Sequence, residues 1–177
     1  MTYARWFSSF ALGVCLLGAQ CPAQSAPSLC DAQSEQTVFS CHFNNGKVAS
    51  ICGSKDLSAK SVSLQYRFGS QGKAPELAFP RDPHEGPQAF GFTVYGAAKW
   101  ESRNARFEVG SYSYLVSTYS GVHDAPEASI VVRREGVTCK VLSCQKEFTD
   151  NMHALDQVPL AEISRDELHG KCLPNGG

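Results

Sequence analysis

The chain has 177 residues, 19% of them charged, and a formal net charge of −1. With Lys and Arg dispersed rather than clustered, this balance excludes an electrostatic footprint for nucleic acid or anionic membranes. The length suits one domain with a sizeable core, and no internal repeat suggests a solenoid.

The first element in the chain is a predicted export signal. Met1 to Arg5 is short and carries one positive charge, and an apolar run of about twelve residues extends from Trp6 to Leu17. Ser8, Ser9 and Gly13 interrupt that run, which is too short for a membrane span of about 20 residues. Small residues cluster between Ala19 and Ala26, so cleavage is expected after Ala23 or Ser25. A lipoprotein anchor at Cys15 or Cys21 fits poorly, because Val14 and Gln20 stand where a small residue is wanted. The expected division is a signal peptide over 1–25 and one disulfide-rich β domain over 26–177. No later segment has spanning length, and no Asn-x-Ser/Thr sequon occurs.

Alternation dominates the chain beyond the signal. Thr37 to Phe43 and Lys47 to Cys52 flank Asn44-Asn45-Gly46, which predicts a hairpin because these residues tolerate positive φ. Ser61 to Phe68 places Val62, Leu64, Tyr66 and Phe68 on one face and polar groups on the other, the pattern of a half-buried strand. Further strands are predicted at Glu76 to Phe79, Phe90 to Tyr95, Arg103 to Val109, Tyr112 to Tyr119, Ala128 to Arg133 and Val137 to Cys144. Gly69-Ser70-Gln71-Gly72, Gly110-Ser111, Ser120-Gly121 and Glu135-Gly136 punctuate them. Two loops stand out: Pro80 to Pro87, with three prolines and several ionisable groups, and Tyr119 to Pro126. After Lys146 the chain turns polar, with a short helix expected near Leu160 to Leu168. The predicted fold is all-β, a mainly antiparallel barrel or sandwich of eight or nine short strands with a short helical or irregular C-terminal tail.

Of the eight cysteines, Cys15 and Cys21 belong to the signal. Cys30, Cys41, Cys52, Cys139, Cys144 and Cys172 remain, an even set that reads as three disulfides in an oxidising compartment. Zinc is disfavoured, since no Cys-x-x-Cys pair occurs. Three of these cysteines lie early and three late, so at least one bridge is expected to tie the N-terminal hairpin to the C-terminal strands or tail.

Few residues point to chemistry. No Gly-x-Ser-x-Gly elbow is present, and Gly110-Ser111-Tyr112-Ser113 falls between two strands rather than before a helix. His123-Asp124 is a base-and-carboxylate pair, but sequence neighbours usually point apart. His84 with Asp82 and Glu85 offers mixed N/O ligands for a cation; a solvated polar loop explains the same residues. Glu101, Glu108 and Asp124 are carboxylates to consider for glycoside hydrolysis, although their spacing does not favour it. No cofactor is expected. Tyr66, Phe68, Tyr95, Tyr112 and Tyr114 read mainly as core. Trp100, assigned to a polar turn, and Tyr119, which opens the second loop, read instead as candidate contacts for a protein or glycan. Ser120 and His123 join them as candidate binding residues.

The stretch from Val38 through Cys52, together with Leu64 to Gly69, Pro75-Glu76-Leu77, Gly110 to Tyr114 and the strand ending at Cys144, resembles a family of uncharacterised exported proteins of Gram-negative bacteria. That resemblance implies a periplasmic or secreted address and no particular activity. Tyr119-Ser120-Gly121 also bears a likeness to a loop fragment of periplasmic lysozyme inhibitors, which are small disulfide-containing β proteins. Three functions are expected on these grounds. The first is a non-enzymatic periplasmic or secreted binding protein, with inhibition of a lysozyme-like hydrolase as one form of it. The second is an extracellular hydrolase using His84 or His123 with nearby carboxylates, and the third an envelope structural or assembly component. The expected partner is a protein or glycan in the envelope or outside the cell.

Overall fold

A computed structural model describes residues 26–134 and 138–169, with the backbone alone at Thr138, Cys139 and His169. The expected signal segment with its cleavage positions, Cys15, Cys21, Cys172 and the Cys139 side chain all lie outside this description. Eleven strands are present among the described residues: β1 (Glu35–His42), β2 (Lys47–Ser54), β3 (Leu64–Ser70), β4 (Leu77–Phe79), β5 (Gly91–Ala97), β6 (Trp100–Val109), β7 (Tyr112–Gly121), β8 (Glu127–Arg134), β9 (Thr138–Ser143), β10 (Thr149–Asp150) and β11 (Ala161–Glu162). They form a five-stranded sheet, β10-β1-β2-β3-β4, and a six-stranded sheet, β11-β5-β6-β7-β8-β9. Every pairing is antiparallel except β11 with β5. Of the two expected architectures, the chain adopts the sandwich: two separate sheets rather than a closed barrel.

Hydrophobic alternation drives the packing. Ala49, Ile51, Leu64 and Tyr66 from the first sheet meet Ala105, Phe107, Val116 and Ile130 from the second, all buried in one cluster. Burying each of the larger side chains contributes about 1.5–3 kcal/mol. Phe107 is the hub, with ring centroids of Tyr66 at 4.7 Å, Tyr114 at 4.9 Å, Phe90 at 5.1 Å and Phe79 at 5.5 Å. A bulge in β1 between Thr37 and Phe39 inserts Val38, so consecutive residues Val38 and Phe39 are both fully buried.

The first sheet departs from simple alternation. β2 is buried along both faces, because residues 26–34 form a strap across the outer one. There Ser40 and Ser50, both wholly buried, share a 2.8 Å hydrogen bond. Ser40 Oγ also donates to the Pro27 carbonyl, and Leu29 N–H donates to Ser50 Oγ. Arg67 forks onto Glu35, at 2.7 and 2.6 Å, and donates to the Leu29 carbonyl and to Gln65 Oε1. The Cys30–Cys52 disulfide anchors the strap to β2. The polar phase of β3 is therefore covered, and Gln65 is buried, where the sequence pattern predicts a solvated face. Buried hydroxyls and amides tolerate this because each has a partner.

The second disulfide, Cys41–Cys144, joins β1 to the residue after β9 across a sequence separation of 103. It is the predicted bridge between the early and late cysteine groups.

Other differences are local. The β1–β2 turn uses positive φ only at Gly46, at 75°, with Gly46 N–H bonded to the Phe43 carbonyl. The segment predicted as the open loop Pro80 to Pro87 is a helical cap: a 3₁₀ turn, Pro83–Glu85, runs into the short helix α1, Gly86–Ala89. Gly86 is required there, since a Cβ would stand 2.1 Å from the Leu64 carbonyl oxygen. Trp100, assigned from sequence to a polar turn, is instead the first residue of β6. In the tail, Met152–Gln157 forms a 3₁₀ segment whose Met152 and Leu155 enter the core. The helix expected from Leu160 begins only at Arg165, as α2 (Arg165–His169). Ser164 and Glu167 exchange hydrogen bonds as a reciprocal cap, which sets that start.

Candidate ligand-binding face

Strand register in the second sheet decides which side chains share a surface. Ala105, Phe107, Val116 and Ile130 point into the sandwich. The alternate phase of β5–β9 therefore points outward, and directly paired residues line up in rows across it. One row runs Tyr95, Ser102, Tyr119 and Glu127. The next toward the strand centres runs Thr93, Asn104, Ser117, Ser129 and Ser143. A third contains Gly91, Arg106, Leu115, Val131 and Val141. On the other side of the aromatic row, Ala97, Trp100 and Gly121 lie opposite one another.

Trp100 and Tyr119 consequently sit on adjacent rows of the same face. Their rings stack at 6.3 Å with an interplanar angle of 26°, and Trp100 is 41% exposed. Tyr119 Oη donates to Asp124 Oδ2 at 2.9 Å. The adjoining turn is closed by Val122 N–H on the Lys99 carbonyl. Gly121 makes the arrangement possible, because a Cβ there would meet Asp124 Oδ2 at 2.7 Å and Tyr119 Oη at 3.0 Å. The aromatic pair is thus fixed in place by a short carboxylate tether rather than free to rotate.

That tether shifts the phenol. The hydrogen bond to Asp124, with slight desolvation and the nearby carboxylate charges of Asp124 and Glu127, raises the Tyr119 pKa above the usual tyrosine value. A raised pKa means the interaction is intact below the ordinary phenol range and is lost as pH rises through the raised value. In Asp124→Asn, Tyr119 is expected to titrate at lower pH than in the parent. Ultraviolet phenolate absorbance, with Tyr119→Phe to identify the transition, checks this; an unchanged midpoint would contradict the tether.

Of the four predicted binding residues, the fold brings two together. Ser120 pairs with Glu101 on the opposite phase of the sheet, away from Tyr119. His123 is exposed in the turn, and Asp124, its neighbour, is engaged by Tyr119 instead.

The catalytic candidates do not converge. Ser111 precedes β7 and His123 comes after it, so ten residues of strand, about 33 Å, lie between them. Glu101 and Glu108 are seven residues apart along β6, about 23 Å, beyond the roughly 5–9.5 Å used by paired glycosidase carboxylates. Arg103 binds Glu101, and Arg106 binds Glu108. Asp82 Oδ1 accepts the His84 backbone N–H as the cap of the 3₁₀ turn, while His84 and Glu85 are exposed.

Two concavities stand out among the described residues, and neither is lined by a histidine. One, of about 470 Å³, lies on the first sheet between the strap and the β3–β4 turn, bordered by Leu29, Asp31, Arg67, Lys73 and Pro75. The other, of about 440 Å³, borders Asn44, Cys144 and Lys146. The sulfurs of Cys30 and Cys52 lie close to the Glu35 carboxylate. They are joined to each other, however, and Glu35 is occupied by Arg67. This cluster is a staple, not a set of thiolate ligands.

The C-terminal tail lies across part of the outer face, from β5 to β8, where Leu115 is buried. Arg106 bonds Glu167 at 2.9 Å, and Arg133 donates to the carbonyls of Glu167 and Leu168. Arg165 lies over the Tyr95 ring at 5.6 Å. Hydrogen bonds from Ser164 to its carboxylate hold Glu167 below the usual glutamate pKa, with the Arg106 charge adding to them. The polar row of Asn104, Ser117, Ser129 and Ser143 lies outside the set of site residues that the sequence predicts. Its signal, one short polar side chain from each of four neighbouring strands, becomes visible only with the register.

No helix of the described residues is long and apolar enough to cross a membrane. No protein-family model, curated protein or solved structure matches this chain.

Proposed function

We propose that the protein is a non-catalytic binding protein of an oxidising, extracytoplasmic compartment, and that it presents the outer face of its six-stranded sheet to its ligand. One observation carries this reading: the stacked, half-exposed Trp100–Tyr119 pair, tethered by Asp124 on a sheet face that the tail covers only in part. A pre-positioned aromatic pair suits binding, because little side-chain freedom is lost when a ligand docks. The two disulfides support the compartment, since such bridges persist where the surroundings are oxidising. The separation of His123 from Ser111 and of Glu101 from Glu108 favours binding over hydrolysis.

The lysozyme-inhibitor form gains no support from this face. Asp124 and Glu127 border it, and an acidic catalytic cleft would repel them.

The reading is tested by sedimenting the purified protein with an isolated bacterial envelope fraction. The parent is expected to co-sediment, and Trp100→Ala to lose at least about tenfold in affinity, the loss of an exposed aromatic anchor. Equal sedimentation of both proteins would overturn the assignment of the face.

A further inference from the structure

We infer that the ligand of this face is a neutral glycan strand, laid along the row of short polar side chains beside the Trp100–Tyr119 pair. This inference rests on the binding reading above and adds the chemical class.

The first support is relief. Asn104, Ser117, Ser129 and Ser143 are short, whereas the flanking rows carry Tyr95 and Tyr119 on one side and Arg106, Leu115 and Val131 on the other. The short row is therefore a floor between two ridges. The tail runs beside it from Tyr95 on β5, past Arg106 on β6, to Arg133 on β8. Thr93 and Asn104 are buried, so the accessible part of the floor is Ser117, Ser129 and Ser143.

The second is hydrogen-bonding character. Ser117 Oγ donates to Asn104 Oδ1 at 2.8 Å, and Asn104 Nδ2 reaches back to Ser102. This chain orients the buried amide and commits the Ser117 hydrogen, so Ser117 offers acceptor lone pairs, while Ser129 and Ser143 add hydroxyls that are both donor and acceptor. Sugar hydroxyls have the same dual character. A pyranose also has a C–H face that packs on an aromatic ring while its edges bond to polar groups. Here the ridge that carries Tyr119 borders the hydroxyl floor directly, two residues or about 6.6 Å away along the strands.

The third is charge. The guanidinium groups of Arg106, Arg133 and Arg165 are engaged: Arg106 by Glu108 and Glu167, Arg133 by two carbonyls, and Arg165 by Tyr95. Glu127 and Asp124 stand at the rim. A sulfated, phosphorylated or uronate-rich polymer would meet these carboxylates while the neighbouring guanidinium groups are already occupied. The same argument sets aside nucleic acid.

The test is isothermal titration of the full-length protein with cellohexaose, chitohexaose and laminarihexaose at up to about 1 mM, the weak end of specific binding. At least one hexaose is expected to bind the parent. Trp100→Ala should weaken that binding at least about tenfold, while Trp100→Tyr retains most of it because the ring face persists. Ser129→Lys, which places a long side chain across the floor, should abolish it without altering the thermal melt. Binding that survives both Trp100→Ala and Ser129→Lys would overturn the site. If no hexaose binds but envelope sedimentation is lost in Trp100→Ala and on protease treatment of the envelope, the ligand is a protein. That outcome overturns the glycan class and leaves the binding face standing. If neither hexaose nor envelope binds, both readings fall.

Discussion

Replacing Cys41 and Cys144 together by alanine is expected to lower stability by about 4–5 kcal/mol, since the bridge closes a loop of 103 residues. Replacing Cys30 and Cys52, 22 residues apart, should cost about 3 kcal/mol on the same chain-entropy argument. The two bridges also differ in what they hold. Cys41–Cys144 closes the sandwich, linking β1 to the end of the second sheet's last strand. Cys30–Cys52 pins only the strap. Equilibrium urea unfolding under non-reducing conditions measures both. The first double variant should also show the larger m-value, because its unfolded chain is released over a longer span. A larger loss from the Cys30/Cys52 pair would contradict this account of what binds the sheets together.

Phe107→Ala is the second large effect, an expected loss of about 3–5 kcal/mol. Phe107 is 1% exposed and touches aromatic rings from both sheets, so the vacated volume cannot be filled by one neighbour's rotation. Tyr66 and Phe79 come from the first sheet and Tyr114 from the second, which makes the ring a joint between layers. Phe107→Leu keeps most of the volume and should cost less, about 1–2 kcal/mol. Urea midpoints of the two variants check the order; a near-neutral Phe107→Ala would show that the sheets are not held through this hub.

Much of this fold can be read from alternation. All nine strands expected between Thr37 and Cys144 are present, because each carries β-branched or aromatic residues at period two between Gly-rich turns. Three features resist that reading, each for a physical reason. β10 and β11 are two residues long, too short for a period. The strap converts the polar phase of β2 and β3 into an interior, and its contacts with Ser40, Ser50 and Arg67 depend on residues up to 38 positions away. Helix α2 starts where Ser164 and Glu167 cap it, not where the apolar pattern begins at Leu160.

The candidate face is half legible in the sequence. Trp100 and Tyr119 stand out as aromatics outside the core pattern, and the β6–β7 register places them on one surface. Ser120 is near Tyr119 only along the chain, since successive side chains of a strand point to opposite faces. His123 is exposed in the turn beyond β7, where Asp124 rather than the histidine engages Tyr119. The serine row has no local signature, because its members come from β6, β7, β8 and β9 and meet only through pairing.

The central claim is that ligand meets the outer face of the six-stranded sheet. Backbone amide chemical-shift mapping tests it most directly, using the nitrogen-labelled protein and whichever of the three hexaoses binds most tightly. The account predicts perturbations at Trp100, Ser102, Ser117, Tyr119 and Ser129. Shifts confined to Leu29, Asp31, Lys73 and Ala78, around the groove on the other sheet, would contradict it.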